Sequence, residues 1–157
     1  MSDVQAEIAA VLEQFQQAWN RMDFDSLRAL WDRTDMEPYY LPEEVSQPLR
    51  DHAAIDDYFA HTQRSVEWVR VELADVRVKP LSDALVVATF AMHVDAAMRG
   101  YDVQGFAPVG LDTQVTTILR SGEAGWRFIH YAEAALGALP FLRRVYNANV
   151  RSTAGDR

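Results

Sequence analysis

The stretch 125-GWRFIHYAEA-134 alternates large apolar residues with other side chains, which predicts the last β-strand of a sheet. Successive residues of a strand point to opposite faces. The more apolar set should face inward, and it comprises Trp126, Phe128, His130 and Ala132. We therefore expect His130 to point inward, and Tyr131 and Glu133 to lie on the opposite face.

Three longer segments before this strand also show strand patterns. They are 66-VEWVRVELADVRVKP-80, 83-DALVVATFAMHVDAAM-98 and 111-LDTQVTTILRS-121. The inward residues of the middle segment should be Val86, Ala88, Phe90 and Met92. The stretch 121-SGEAG-125 fits a hairpin turn into the last strand. This half of the chain is therefore predicted to be mostly sheet.

The N-terminal part shows helical spacing instead. Apolar residues recur every three or four positions over Val4–Met22, and a short helix should follow over about 23–31. The prolines and tyrosines of 36-MEPYYLPEEVSQPLRD-51 favour a short edge strand, a turn and a second short strand. A third helix should begin after Asp51 as its N-cap. Pro140 predicts the start of a terminal helix at about 139–150.

The composition limits the class of protein. The 157 residues fit a single domain, with its core at about 4–134. The formal net charge of −8 disfavours nucleic acid and anionic membranes as partners. The chain has no cysteine, so the fold must be stabilised by its core. No basic leader and no apolar run of membrane-spanning length is present, and we therefore expect a cytoplasmic protein.

The order of helices, strand pair, helix and antiparallel sheet resembles the nuclear transport factor 2-like superfamily, closest to its SnoaL-like branches. The resemblance rests on three stretches, 15-FQQAWNRMDFDSLRALW-31, 53-AAIDDYF-59 and 125-GWRFIHY-131. It implies an α+β fold in which a cone-shaped, curved antiparallel sheet wraps around the helices. The concave face then forms one deep apolar pocket, and the convex face commonly makes a homodimer. Members include ketosteroid isomerase, scytalone dehydratase, limonene epoxide hydrolase, SnoaL-type cyclases, cofactor-free lyases and non-enzymatic binding or oligomerisation domains.

The catalytic positions of these relatives do not carry over. The ketosteroid isomerase tyrosine falls on Phe15, its aspartate base falls around Tyr39 or Tyr40, and its second acid falls near Val115. Lys79, at a predicted strand end, is a poor match for the pocket lysine of the aromatic lyases. An enzyme of this type would therefore have to use other groups.

Three residues are the candidates for catalysis. An inward imidazole at His130 could move a proton, because an ordinary histidine titrates at a pH of about 6.5. Tyr58 shares a helix face with Ile55 and Phe59, and its hydroxyl could stabilise an oxyanion. Tyr40, rather than Tyr39, is taken as the inward tyrosine of the first strand. The structural alternative is that the histidine and tyrosines only pack and form internal hydrogen bonds.

Six further residues are the candidates for substrate contacts. The aromatic wall would comprise Phe15, Trp19, Trp31 and Phe90, and Thr113 and Thr117 would offer inward hydroxyls. Core packing is the alternative for the aromatic residues, and β-branching alone can explain threonines in a strand.

Other polar pairs have simpler explanations. His93 and Asp95 share an outer strand face and suit a dimer interface or a solvated surface. The helical pairs His52–Asp56 and Asp57–His61 lie on different faces without a third ligand, so no metal is predicted. Glu43 and Glu44 fit a solvated turn. No nucleotide-binding, metalloprotease or hydrolase motif is present, and no cofactor is predicted.

Two functions are the main possibilities from the sequence, and a third, docking to another protein, would need an exposed apolar patch on the convex face. The first is a cofactor-independent enzyme that isomerises, dehydrates, cyclises or cleaves a small hydrophobic aromatic or polycyclic substrate. In that case the glycine-rich connection at 99–110 and the terminal helix would cover the pocket mouth. The alternative is a non-catalytic small-molecule-binding or oligomerisation module of the same fold.

Overall fold

The computed structural model describes residues 3–100 and 108–137, together with Arg144 and Ala148. In this part of the chain the helices are α1 (Asp3–Asn20), α2 (Phe24–Ala29) and α3 (His52–Ser65). The strands are β1 (Tyr39–Leu41), β2 (Val66–Pro80), β3 (Leu85–Met98), β4 (Val109–Gly122) and β5 (Gly125–Ala135). Arg144 and Ala148 are helical, and the rest of the predicted terminal helix lies outside the described residues, as does most of the 99–110 connection. No helix of the described part is long and apolar enough to cross a membrane.

The two shorter helices begin where their capping residues predict. The Asp23 carboxylate accepts a hydrogen bond from the Ser26 backbone N–H at 3.0 Å, which starts α2. Asp51 does the same for the Ala54 N–H at 2.7 Å and starts α3. Each cap satisfies a backbone donor that the first helical turn leaves unpaired.

The strands form one curved sheet in the order β1-β5-β4-β3-β2. The four long strands pair antiparallel, as the sequence predicts, whereas β1 pairs parallel to β5. Tyr40 of β1 also exchanges backbone hydrogen bonds with Leu49, at 2.9 and 2.8 Å, so the predicted second short strand is present as a single bridge. The α+β class and the curved sheet expected from the resemblance are therefore confirmed.

Helix α1 packs across the concave face of the sheet. Its apolar stripe, including Ile8 and Leu12, is buried against the inner side chains of the long strands. The predicted inward set of β3 is buried as expected and comprises Val86, Ala88, Phe90 and Met92. At the end of the helix, the Asn20 amide donates to Val71 O at 3.1 Å and accepts from Val71 N at 2.6 Å. This side chain therefore satisfies backbone groups on the edge strand β2.

A β-bulge in β5 decides which side chains of that strand face inward. Ile118 of β4 pairs with His130 and Leu119 pairs with Phe128, so Ile129 has no partner on β4. The extra residue reverses the alternation, because side chains switch faces once per residue. Trp126 and Phe128 are inward before the bulge, and Tyr131, only 1% exposed, is inward after it. The prediction that His130 points inward is therefore wrong.

Candidate functional site

A cavity of about 810 Å³ lies between the concave face of the sheet and helix α3. Its walls are mainly aliphatic and include Val66, Val69, Val71, Met92 and Val94 from β2 and β3. Trp19 of α1 lines it as well. A volume of this size can hold a small organic molecule.

Polar side chains are grouped at the end of the cavity formed by β1, α3 and β5. They comprise Tyr40, Glu43, Glu44, Tyr58 and Glu133. The Tyr58 hydroxyl donates a hydrogen bond to Glu44 Oε1. The rings of Tyr40 and Tyr58 meet edge to face, with centroids 5.2 Å apart. The aromatic packing therefore fixes both tyrosines in the wall.

Local structure explains how the carboxylates reach this end. Glu43 and Glu44 occupy a turn that begins at Pro42, in which the Val45 N–H donates to Pro42 O at 3.3 Å. The turn follows β1 and brings both side chains to the cavity lining. Glu133 lies on β5 four residues after the bulge, on the same face as Tyr131. One strand and one turn therefore place three carboxylates around a single cavity.

Glu133 has the most unusual protonation equilibrium of this group. Burial raises its pKa to about 7, and the nearby Glu44 and Glu43 carboxylates add to the rise. Hydrogen bonding with Tyr131 and with the Glu43 backbone opposes the rise. The Glu133 carboxyl group therefore exchanges its proton near neutral pH.

The tyrosines of the cavity stay protonated at neutral pH. Burial raises the pKa of Tyr40 and of Tyr58 well above the ordinary value, and the Glu44 carboxylate adds to the effect at Tyr58. Burial also raises the pKa of Tyr131, and Glu133 adds to this rise. Neutral tyrosines can act only as weak acids and as hydrogen-bond partners. Tyr40 can therefore offer an O–H donor to a ligand oxygen, whereas the proton of Tyr58 is already donated to Glu44 in the free protein.

Four further polar side chains line the cavity, Thr113 of β4 and His61, Thr62 and Ser65 of α3. Thr113 of β4 is 0% exposed, and its Oγ1 has no hydrogen-bond partner among the described residues. Such a group costs free energy unless something pairs with it. His61, near the end of α3, lies on the cavity with its Nε2 3.2 Å from Ser65 Oγ. It is the only histidine among the described residues that line the cavity.

A sequence profile described as the SnoaL-like domain matches residues 8–135. The chain belongs to the SnoaL-like domain family. The match spans every helix and strand described above except the first residues of α1, so the resemblance stated from the sequence is confirmed. Comparison with curated protein sequences gave no significant match.

Solved structures similar to this SnoaL-like domain share its fold at low sequence identity. A nuclear transport factor 2-like superfamily protein from Salmonella enterica serovar Typhimurium has a TM-score of 0.74 at 15% identity, with 88% of this chain and 94% of that chain covered. A putative dehydratase of the NTF2-like family from Streptomyces avermitilis has a TM-score of 0.72 at 18% identity, with 85% of this chain and 96% of that chain covered. A putative scytalone dehydratase from Novosphingobium aromaticivorans has a TM-score of 0.72 at 10% identity, with 85% of this chain and 86% of that chain covered.

His130 of this SnoaL-like domain lies on the outer face of the sheet. Its ring stacks on that of Tyr39, with centroids 4.5 Å apart and an angle of 7° between the planes. The Arg50 guanidinium lies over the Tyr39 ring, 5.1 Å from the ring centroid. Burial lowers the pKa of His130. His130 does not line the cavity, so this geometry gives no support to its predicted catalytic role, which stays a prediction.

The other candidate residues divide between the cavity and the core. Tyr40, Tyr58, Trp19 and Thr113 line the cavity, and the choice of Tyr40 over Tyr39 is confirmed. The predicted substrate contacts that do not line it are Phe15, Trp31, Phe90 and Thr117. The three aromatic residues pack in the hydrophobic core, and the Thr117 hydroxyl donates to His130 O at 2.7 Å. Catalytic and binding roles for the residues that do line the cavity stay predictions.

The sequence analysis missed the carboxylates of the cavity. It placed Glu133 on the outer face because it assumed unbroken alternation in β5, and it assigned Glu43 and Glu44 to a solvated turn. The spacing of the large aromatic residues contains the missing signal. Trp126 and Phe128 are two apart, but Tyr131 follows after three residues, as expected when one extra residue is inserted.

Two of the polar pairs named from the sequence, His93–Asp95 and His52–Asp56, lie away from the cavity. On the outer face, His93 Nδ1 lies 2.8 Å from Asp112 Oδ1, and its Nε2 lies 3.2 Å from Asp95 Oδ1. The hydrogen bond to Asp112 raises the pKa of His93. Asp56 forms ion pairs with arginines instead of a histidine pair. In residues 3–100 and 108–137, no three side chains of His, Cys, Asp or Glu are grouped to hold a metal ion.

Proposed function

We propose that this SnoaL-like domain is a cofactor-independent enzyme that uses acid–base chemistry on a small hydrophobic molecule. The observation that carries the proposal is Glu133, a carboxyl group with a pKa of about 7 in a mainly apolar cavity. A proton carrier is most effective when its pKa is close to the working pH. Glu133 takes the role that the sequence analysis assigned to His130.

The cavity groups divide the chemistry between them. Ionised Glu133 removes a proton from carbon or oxygen of the substrate and returns it at another position. The hydroxyl of Tyr40, or that of Tyr58 once it has exchanged Glu44 for the substrate, donates a hydrogen bond to the substrate oxygen on which negative charge develops. Both hydroxyls keep their protons at neutral pH, because their pKa values are raised. Hydrogen bonds of this type are strengthened by a low-dielectric site.

Two of the similar structures support elimination as one reaction of this kind, since both are named putative dehydratases. Loss of water from an alcohol removes a proton from carbon and delivers a proton to the leaving hydroxyl. Glu133 can serve both steps, because it takes the proton from carbon and then delivers it to the leaving hydroxyl, while a tyrosine hydroxyl only donates a hydrogen bond to the substrate oxygen. Isomerisation, cyclisation and retro-aldol-type cleavage use the same proton transfers. The aromatic rings of Trp19, Tyr40 and Tyr58 in the otherwise mainly aliphatic lining suit an aromatic or polycyclic substrate.

The test compares wild-type protein with Glu133→Gln on a panel of hydrophobic aromatic, steroid and polyketide-like compounds. Melting-temperature shifts report binding, and product masses report conversion. Glu123→Gln, in the exposed turn between β4 and β5, is the matched control. We expect conversion by wild type and control, and its loss in Glu133→Gln with binding retained. Binding across the panel without any conversion would instead identify a non-catalytic binding module.

A further inference from the structure

The charge of the cavity is one-sided. Glu43, Glu44 and Glu133 line it, whereas no lysine or arginine is among its described lining residues. The ion pairs of the described part involve other carboxylates, such as the Arg120–Asp32 pair at 2.7 Å. None of them includes a carboxylate of the cavity. The three carboxylates therefore create a negative potential that no neighbouring side chain in the described part neutralises.

An independent observation on β4 also indicates a missing binding partner. Thr113 is 0% exposed, it lines the cavity, and its Oγ1 lacks a hydrogen-bond partner among the described residues. The register pairs Thr113 with Ala135 and Val115 with Glu133. Thr113 and Glu133 are therefore diagonal neighbours on one face of the sheet, at a spacing of about 7–8 Å between their backbones. A single ligand group can lie between the hydroxyl and the carboxylate.

The aromatic side chains are a third feature of the cavity that favours a positively charged ligand. Tyr40 and Tyr58 line the cavity near the carboxylates, and Trp19 lines the same cavity. Aromatic faces attract ammonium groups through their quadrupoles, and the attraction increases where water is excluded. A hydrogen-bond acceptor, a carboxylate and aromatic rings together recognise a protonated amine better than they recognise a neutral or anionic group.

We propose that the substrate carries a protonated amine, which binds between Glu133 and Thr113 while its apolar body lies along the β2 and β3 wall. This inference rests on the proposed function, because it names the substrate class for the same cavity. The ammonium group donates to one oxygen of the Glu133 carboxylate and to Thr113 Oγ1, and the other Glu133 oxygen remains free to take the proton of the reaction. Glu43 and Glu44 attract the cation as it enters. An anionic substrate is excluded by the same charges.

The test uses three probes with one apolar body and different head groups: 4-phenylbutylamine, 4-phenylbutanol and 4-phenylbutyrate. Their Kd values are measured by calorimetry at about pH 8, where most Glu133 side chains are ionised and the amine is protonated. We expect the amine to bind about tenfold more tightly than the alcohol, as a charge-assisted hydrogen bond implies, and the carboxylate to bind least. Glu133→Gln should reduce the amine-to-alcohol ratio to about one, and Glu123→Gln should leave it unchanged.

The alcohol serves as the control for an intact cavity, since its Kd should stay within about twofold in Glu133→Gln. Equal affinity of wild type for amine and alcohol overturns the inference, and so does a preference for the amine that persists in Glu133→Gln. Absence of binding by all three probes also overturns it. Conversion of uncharged compounds in the panel test would then leave the proposed enzyme standing. Tight binding of the amine without conversion of any compound would refute the enzyme and leave an amine-binding site at Glu133 and Thr113.

Discussion

The raised pKa of Glu133 should make the free energy of unfolding depend on pH, and Glu133→Gln should remove this dependence. The pKa of Glu133 is about 7 in the folded protein, whereas its ordinary value, which applies to the unfolded chain, is 4.5. The raised value means that the folded state holds a proton between these two pH values while the unfolded state has lost it. Stability therefore falls as pH rises from about 4.5 and becomes constant above about 7. A glutamine side chain cannot titrate, so Glu133→Gln should lack this component.

The size of the effect follows from the two pKa values. Because proton binding and folding are linked, the difference between the two pKa values lowers the free energy of unfolding of wild type by about 0.8 kcal/mol at pH 5 and by about 3.3 kcal/mol at pH 8. The free energy of unfolding of Glu133→Gln, minus that of wild type, should therefore increase by about 2.5 kcal/mol between these pH values. Other titrating groups, including Glu43 with its raised pKa, are present in both proteins and largely cancel in the difference.

The assay is urea unfolding followed by tryptophan fluorescence, with wild type, Glu133→Gln and Glu123→Gln measured at pH 5 and pH 8. Glu123 is exposed in a turn, so its substitution should give the same small difference at both pH values. A difference between Glu133→Gln and wild type that does not change with pH would refute the reasoning. It would mean that Glu133 has an ordinary pKa and is no proton carrier at neutral pH.

Four other outcomes are expected. Thr113→Val should raise the free energy of unfolding by about 1 kcal/mol in urea titrations, because it removes an unpaired buried hydroxyl, and a loss of stability would show that Oγ1 has a partner. Tyr58→Phe should lower kcat about a hundredfold on any converted substrate with little change in melting temperature, and an unchanged kcat would exclude its hydroxyl from the reaction. His130→Ala should retain conversion, since the ring lies outside the cavity, so loss of turnover by a stable variant would contradict the assigned geometry. Sedimentation velocity should show a homodimer that Val87→Arg, on the outer face of β3, converts to a monomer; a wild-type monomer would end this prediction.

The helices and long strands follow from local sequence patterns, which explains why the fold could be predicted. The stripe of α1, the Asp51 cap and the alternation of β3 each depend on residues close together in the chain. The parallel pairing of β1 with β5 joins residues far apart in the chain, such as Tyr39 and His130, and no local pattern specifies it. The superfamily resemblance supplied the overall long-range order of the sheet.

The candidate site was less predictable because it depends on single-residue details. Tyr40 and Tyr58 could be placed, since a three-residue strand and a capped helix have few alternatives. The inward face of β5 could not be predicted. Alternation counted from Trp126 and alternation counted from Tyr131 assign opposite faces to His130, and only the register with β4 shows the position of the bulge that separates them. Glu43 and Glu44 follow a proline in a polar stretch, and only the folded chain brings their turn to the cavity.

The same two residues that carry the binding proposal also destabilise the free protein. Ionised Glu133 lacks a basic partner in the described part, and Thr113 Oγ1 is buried without a hydrogen bond among the described residues. A core selected for stability alone would hold apolar residues of similar size at both positions, as it does at the neighbouring Val115, which is 0% exposed. Both unfavourable groups lie on one face, two residues apart in register, and both border the cavity. One ligand carrying a positively charged donor would satisfy both at once, so its binding should raise the stability of the protein most at the pH values where Glu133 is ionised.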